Sequence, residues 1–411
     1  MNTTFLPGAN ADTAAAGGAA PASPAVARLA FLLLFPGFFF YQTLIALGAM
    51  PAFLGGYFAI VSIALVLPLI VSYLMAVKAA RYRVARTDLH FAFFLAYFFL
   101  VVAINGLFGA DAATVQTHLL SILYFANIYI IFKTVDFSER TTMGAALACL
   151  LLMSAIIFYF SDDGSFRLGQ SADARSLDSV ATYQGFARSY LMTFVVVICF
   201  TRRAAARLVL GGIAVAALFM NSSRSELVAV VLLVPLVEIH RSRNRMATAC
   251  LILAVLAAAG FGSGYAVQVL PDHRVWELLD LSQSDSSIAR HHLAQRALQT
   301  ITEHPLLGAY ASYPPGQYAH DILSAWVDLG LFGFAYLLFR LVPPAFALSA
   351  GGLFRRIRSG DFLLAWSLPC VSLLLLVTAK TFDDMIAGAA LGAYAHHRSG
   401  NRRVPMEGLA S

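Results

Sequence analysis

Residues 53–86 read FLGGYFAIVSIALVLPLIVSYLMAVKAARYRVAR: an apolar run over 53–77, closed by Lys78, Arg81, Arg83 and Arg86. About twenty apolar residues in one helix cross the roughly 30 Å of hydrocarbon in a bilayer. A basic loop that follows marks the side on which the chain emerges, because Lys and Arg are retained in the cytoplasm. The same pair of signals recurs along the chain, so this stretch is the unit from which the fold is read.

Comparable apolar runs lie at 29–48, 89–107, 116–133, 142–160, 181–200, 207–220, 226–240, 247–270, 321–347, 362–379 and 382–396. With 53–77 they predict an all-α, polytopic transmembrane helix bundle of about 12 spans. Basic residues gather in every second connection. Lys133 and Arg140 follow the fourth run; Arg202, Arg203 and Arg207 follow the sixth. Arg241, Arg243 and Arg245 follow the eighth, Arg355, Arg356 and Arg358 the tenth, and Arg398, Arg402 and Arg403 the last. This alternation predicts cytoplasmic termini, with 49–52, 108–115, 161–180, 221–225, 271–320 and 380–381 facing outward.

Composition agrees. Of 411 residues, 59% are hydrophobic and only 12% charged, with mean hydropathy +0.74. A soluble domain carries about twice that charged fraction. The excess of 28 Lys+Arg over 22 Asp+Glu follows the topology and is no nucleic-acid footprint. Cys149, Cys199, Cys250 and Cys370 sit far apart in apolar runs and read as membrane packing. The first 27 residues, rich in Ala, Gly and Pro, have no basic residue to open a signal peptide and read as a disordered tail. The expected organisation is a tail over 1–27, helices over 28–270, an outward loop over 271–320, further helices over 321–396 and a cytoplasmic tail over 397–411.

Loops beyond about 12–15 residues are usually functional or disordered. The long one, 271–320, contains SDSSIARHHLAQRALQTITEHPLLG at 284–308, with serines to cap a helix and Ile288, Leu293, Ala297 and Ile301 at near-helical spacing. An amphipathic helix against the outer membrane face is expected there, ending before Pro305.

Basic residues on the outward side break the topological rule, so each needs a reason. They are Arg167, Arg175, Arg224, Arg274, Arg290, Arg296 and Lys380, with Arg188 inside the sixth run. In MNSSRSELVAVV (220–231), a tight turn offers hydroxyls, backbone N–H groups and the Arg224 guanidinium to an anion. The plain alternative is an interfacial turn whose arginine meets lipid phosphate or Glu226. His320 and Asp321 stand where a loop meets an apolar run, and Asp321 reads as the N-cap of that helix. His291, His292, His304 and His320 have no recognisable ligand spacing, so no metal site is expected. No GxGxxG, Walker or GxSxG motif is present, and no cofactor is expected.

Three segments together resemble the O-antigen ligase and polysaccharide polymerase family. They are the turn NSSRSE, the helix headed by Arg290 and closing in EHPLLGAY, and YAHDILSAWVDLGLFG at 318–333. The resemblance covers residues 160–340. It departs from the family at Asp321, where asparagine is usual, at Ser225, where glycine is common, and at ATYQGFARSYL (181–191), where Asn-Pro-Asn-like residues are frequent. It implies a metal-independent glycosyltransferase of the bacterial inner membrane with a periplasmic active site. Its donor would be a glycan on undecaprenyl diphosphate, and its acceptor lipid A–core or a second lipid-linked repeat, with membrane lipids and no nucleic acid as further partners. Under that resemblance Arg224, Arg290 and Arg188 bind the diphosphate, His320 is the general base and Asp321 orients it. Ligase is the favoured activity, polymerase the alternative within the class, and a transporter or flippase of lipid-linked sugars the alternative outside it.

Overall fold

The computed structural model describes residues 25–54, 57–79, 82, 84–162, 164–166, 168, 183–242, 244–254, 285–313, 319, 321–354 and 359–400. Apart from a two-residue hairpin, Ser161–Asp162 with Ser165–Phe166, every regular element among them is helical. The helices are α1 (Ala25–Leu32), α2 (Phe38–Ala46), α3 (Phe58–Lys78), α4 (Arg86–Leu107), α5 (Ala112–Thr134), α6 (Arg140–Tyr159) and α7 (Tyr183–Phe200). They continue as α8 (Ala204–Met220), α9 (Arg224–Arg241), α10 (Arg245–Ala254), α11 (Asp285–Glu303), α12 (Leu323–Phe354), α13 (Gly360–Thr378) and α14 (Ile386–Gly400). Among the described residues, seven helices are long and apolar enough to cross a membrane, counting α1 and α2 as one; α7, α8 and α10 are shorter apolar helices.

α1 and α2 are joined through a single π turn, Leu33–Gly37. Its cause is Pro36, which has no N–H to return to the preceding turn. The Leu33 carbonyl, which accepts the Phe38 N–H across this turn, also accepts the Tyr57 hydroxyl at 3.1 Å.

Beyond Arg188, α7 is mostly apolar and buried as far as Cys199, as a helix enclosed by others must be. It packs against α2, α6, α8, α9 and α13. α14 lies against α5 through Gly388 and Gly392, four residues apart. A Cβ at Gly392 would stand 2.6 Å from the Tyr129 carbonyl oxygen, and one at Gly388 3.0 Å from that of Phe125. Small residues at this spacing let two backbones approach closely without an aqueous hydrophobic drive.

Two boundaries differ from the sequence reading. The run 321–347 is not one continuous helix: α12 begins at Leu323 and breaks at Gly330, whose φ of 70° is left-handed. The segment after α11 docks into that break. Ala309 N–H donates to the Val327 carbonyl (2.8 Å) and Leu331 N–H to that of Leu306 (3.0 Å). The Tyr97 hydroxyl donates to the Leu329 carbonyl at 2.7 Å. Gly308, at φ 72°, is the counterpart on the docked side: a Cβ there would fall 2.3 Å from the Val327 oxygen. Hydrogen-bonding groups freed by the break are thus met by protein, the condition for non-helical backbone inside a bundle.

The second difference concerns 382–396. Phe382–Met385 lie in a turn, and the helix starts at Ile386. Asp383 and Asp384 are the reason, since two adjacent carboxylates inside an apolar helix would both need buried partners.

Candidate functional site

The turn 379–385 is where the charged residues of one end of the bundle converge. α14 has 15 residues, a rise of about 22 Å, so it falls short of the length of α5, about 35 Å for 23 residues. The turn before it consequently sits below the end of α5 and is enclosed: Lys380, Phe382, Asp384 and Met385 are all buried.

Four different helices bond to this one turn. Arg188, five residues into α7, donates from Nη2 to Asp384 Oδ2 at 2.9 Å. Lys380 Nζ lies 2.8 Å from Glu226 Oε1 on α9. The Ser121 hydroxyl of α5 donates to Asp383 Oδ2 at 2.8 Å. Phe382 N–H donates to the Ser324 hydroxyl oxygen in the first turn of α12 at 3.0 Å.

Glu226 also organises the α8–α9 turn. Its carboxylate accepts the hydroxyl of Ser223 and, at 2.7 Å, that of Ser225. Ser222 between the helices is left-handed, with φ 57°, a conformation a serine keeps only when its surroundings hold it. The carboxylate offered in the sequence as a plain partner for Arg224 therefore receives Lys380 and two serines. Arg224 opens α9 as its first residue, at the lip of this turn.

Arg188 faces a cavity of about 330 Å³. Gln42, Tyr124 and Gln184 share its polar side with the guanidinium, and Phe35, Phe38 and Phe58 wall the rest. The Arg188 side chain is 35% exposed, while its Nε is buried and makes no hydrogen bond. Asp384 engages one end of the guanidinium fork. Gly185 sets the width of the wall, since a Cβ there would stand 2.9 Å from Gln42 Oε1 and 3.0 Å from the Phe38 ring. An aromatic pocket with one cation and several amide and hydroxyl groups suits an amphipathic anion.

Asp321 caps α12. Its Oδ1 accepts Leu323 N–H at 2.9 Å, and its carbonyl accepts the Ser324 hydroxyl at 2.7 Å. Burial raises its carboxyl pKa above the ordinary range, against the opposing pull of that Leu323 N–H. Because Ser324 also receives Phe382 N–H, the start of α12 belongs to the same bonded network. His320 lies outside the described residues. Arg290 is half-buried on α11, which reaches α12 through a separate apolar cluster of Ala297, Ile301, Tyr313, Ala319 and Val327.

Of the residues singled out in the sequence, Arg188, the turn that presents Arg224, and Asp321 are thus drawn to one loop. Arg290 enters by another route. The sequence marks Lys380 as an outward cation but does not join Glu226, Asp383, Asp384, Ser121 and Ser324 into one network. The signal available was KTFDD (380–384), four polar or charged residues in five between two apolar runs. No protein-family model matches this chain, and no curated protein matches it either.

Proposed function

We propose that this protein is a membrane glycosyltransferase that moves a glycan from undecaprenyl diphosphate to an acceptor hydroxyl, acting as an O-antigen ligase on lipid A–core. The observation that carries the reading is the convergence on residues 379–385. One turn fixes the Arg188 guanidinium, the Arg224 turn and the start of α12, which follows closely on His320 and Asp321. In the proposed topology of about 12 spans with cytoplasmic termini, this end of the bundle faces the periplasm.

The acceptor oxygen attacks the anomeric carbon, the bond from that carbon to the diphosphate oxygen breaks, and the hydroxyl proton passes to His320. Charge grows on the departing diphosphate. Arg188, Arg224 and Arg290 bind it and stabilise that charge, which is worth most where water is excluded. The cavity beside Arg188 supplies an apolar wall for the first part of the lipid chain.

The break in α12 gives specific support to a second reading, transport of a lipid-linked sugar, because transporters place substrate at discontinuous helices. Against it, the carbonyls of Val327 and Leu329 at this break are taken by Ala309 N–H and the Tyr97 hydroxyl.

One experiment separates these readings. In a deletion strain complemented with wild type or His320→Ala, the surface glycolipid and the lipid-linked glycan pool are measured together. A ligase leaves long glycan on undecaprenyl diphosphate and a bare core, and His320→Ala fails to rescue. Single repeats on the core with no long chains identify a polymerase. Full rescue by His320→Ala overturns the catalytic assignment and favours transport.

A further inference from the structure

The docked segment raises a question of depth. Tyr97, whose hydroxyl holds the Leu329 carbonyl, is the twelfth of 22 residues in α4, a helix about 33 Å long. Leu329 is followed by Gly330 and Leu331, and these carry the turn 305–308: Leu331 N–H donates to the Leu306 carbonyl at 3.0 Å. That turn therefore stands level with the middle of α4, not above its end. Phe332, next along α12, touches Phe93 of α4 with ring centroids 6.2 Å apart, which agrees with this placement.

At that depth the turn shows two large apolar side chains to the outside, Leu306 at 70% and Leu307 at 86% exposure. Both are fixed from behind. Trp326 Nε1 donates to the Pro305 carbonyl at 2.8 Å, Gly308 N–H donates to that of His304 at 3.0 Å, and Ala309 N–H donates to that of Val327. Below them α12 continues with Phe332, Phe339 and Phe346, exposed and seven residues apart, which is one stripe of a helix. A stripe of exposed phenylalanines on a membrane-length helix faces lipid, and Leu306 and Leu307 stand exposed at the level where it begins.

We infer that residues 305–308 form a re-entrant wedge whose Leu306 and Leu307 side chains contact lipid acyl chains inside the bilayer. The occupant of this face is lipid because the two side chains stand exposed level with the middle of α4 and with the start of the α12 stripe, and because the Pro305 and Leu306 carbonyls and the N–H groups of Gly308 and Ala309 are bonded to protein, which lowers the cost of placing this backbone in hydrocarbon. The consequence is that α11, with Arg290 and Arg296, is anchored from its C-terminal end in the membrane and does not float above it.

The test places a nitroxide at Leu307→Cys in full-length protein whose four native cysteines are replaced by alanine. The protein is reconstituted in phosphatidylethanolamine and phosphatidylglycerol vesicles. Collision with oxygen should exceed collision with a water-soluble nickel chelate severalfold, matching Phe332→Cys and opposite to Gln295→Cys on the exposed face of α11. A nickel response equal to that of Gln295→Cys overturns the wedge. Low collision with both reagents also overturns it, since the face is then covered by protein. If the cysteine-free protein does not fold, Leu307→Trp in the native background gives the same reading. Lipids brominated on the acyl chain should then quench the added fluorescence, and quenching no greater than in wild type refutes the inference.

Discussion

The two ends of the helix bundle bury charge in different ways. At the end where α3 finishes and α4 begins, charges are paired helix to helix. Lys133 of α5 bonds Asp88 of α4, with Tyr129 donating to the same carboxylate. Arg207 of α8 grips Glu238 of α9 with two nitrogens, one at 2.7 Å. At the other end the charges converge on a non-helical turn, and Arg188 keeps part of its guanidinium beside a cavity. Pairs of the first kind lock helices in register. The second arrangement holds a cation in place and leaves it able to bind something else, which is what a site requires.

The largest expected effect comes from neutralising the turn while keeping its shape. Breaking a buried pair from one side leaves an uncompensated charge and costs about 3–5 kcal/mol, whereas replacing both partners is often neutral. The double variant Glu226→Gln with Lys380→Met should therefore fold, with a thermal midpoint near wild type, yet lose transfer activity by about 10²-fold or more as the Arg224 turn loses its anchor. Wild-type activity in this variant would reduce the turn to a register lock like its counterpart. Arg188→Lys comes next. A lysine still pairs with Asp384 but cannot offer a second edge of a fork to a diphosphate. Loss of one such donor typically costs about 10²–10³-fold in rate, with stability little changed. Donor binding and turnover measured separately would check it, and a change in melting temperature alone would count against the assignment.

How much of this was legible in the sequence follows from the range of the interactions involved. Apolar runs and the basic residues after them are local signals, and the helices lie along those runs; α11 ends at Glu303, just short of Pro305. The turn 379–385 was hidden because its two aspartates stand beside an apolar run that masks them in any average over about twenty residues. Their partners come from far away: Ser121 is 262 residues from Asp383, and Arg188 is 196 from Asp384. Nothing in hydropathy predicts such meetings. The break at Gly330 was equally silent, since a glycine is tolerated in a continuous membrane helix. Only the hydrogen bonds to 305–311 show why the chain turns there. The EHPLLG and DLGLFG segments, read separately in the sequence, are two sides of one contact.

That contact gives a prediction of intermediate size, in stability and not in chemistry. Gly308→Ala and Gly330→Ala each put a side chain into a left-handed conformation, which costs about 1–2 kcal/mol. Each also drives a Cβ to within 2.5 Å or less of a backbone oxygen. Both variants should unfold earlier than wild type, and more so than Gly212→Ala, where no atom lies within 4 Å of the added Cβ. If Gly330→Ala matched Gly212→Ala in a thermal scan, the docking of 305–311 into the α12 break would be wrong.

The smallest effect is expected at the opposite end, and it sharpens the contrast most. Asp88→Asn with Lys133→Met removes both charges of the other buried pair. The new amide keeps an oxygen for the Tyr129 hydroxyl, and a methionine fills the space of the lysine stem, so the helices retain their packing. Stability should stay near wild type or rise, since replacing both members of a buried pair is often neutral or stabilising. Transfer activity should stay within about threefold, because this pair is enclosed between helices and has only to hold α4 against α5. The two double variants are chemically alike, each an acid made amide and a lysine made methionine. A large loss at 226/380 with none at 88/133 would therefore be a property of position. Equal losses at both would mean that buried charge in this bundle serves folding alone, and the site would have to be sought elsewhere.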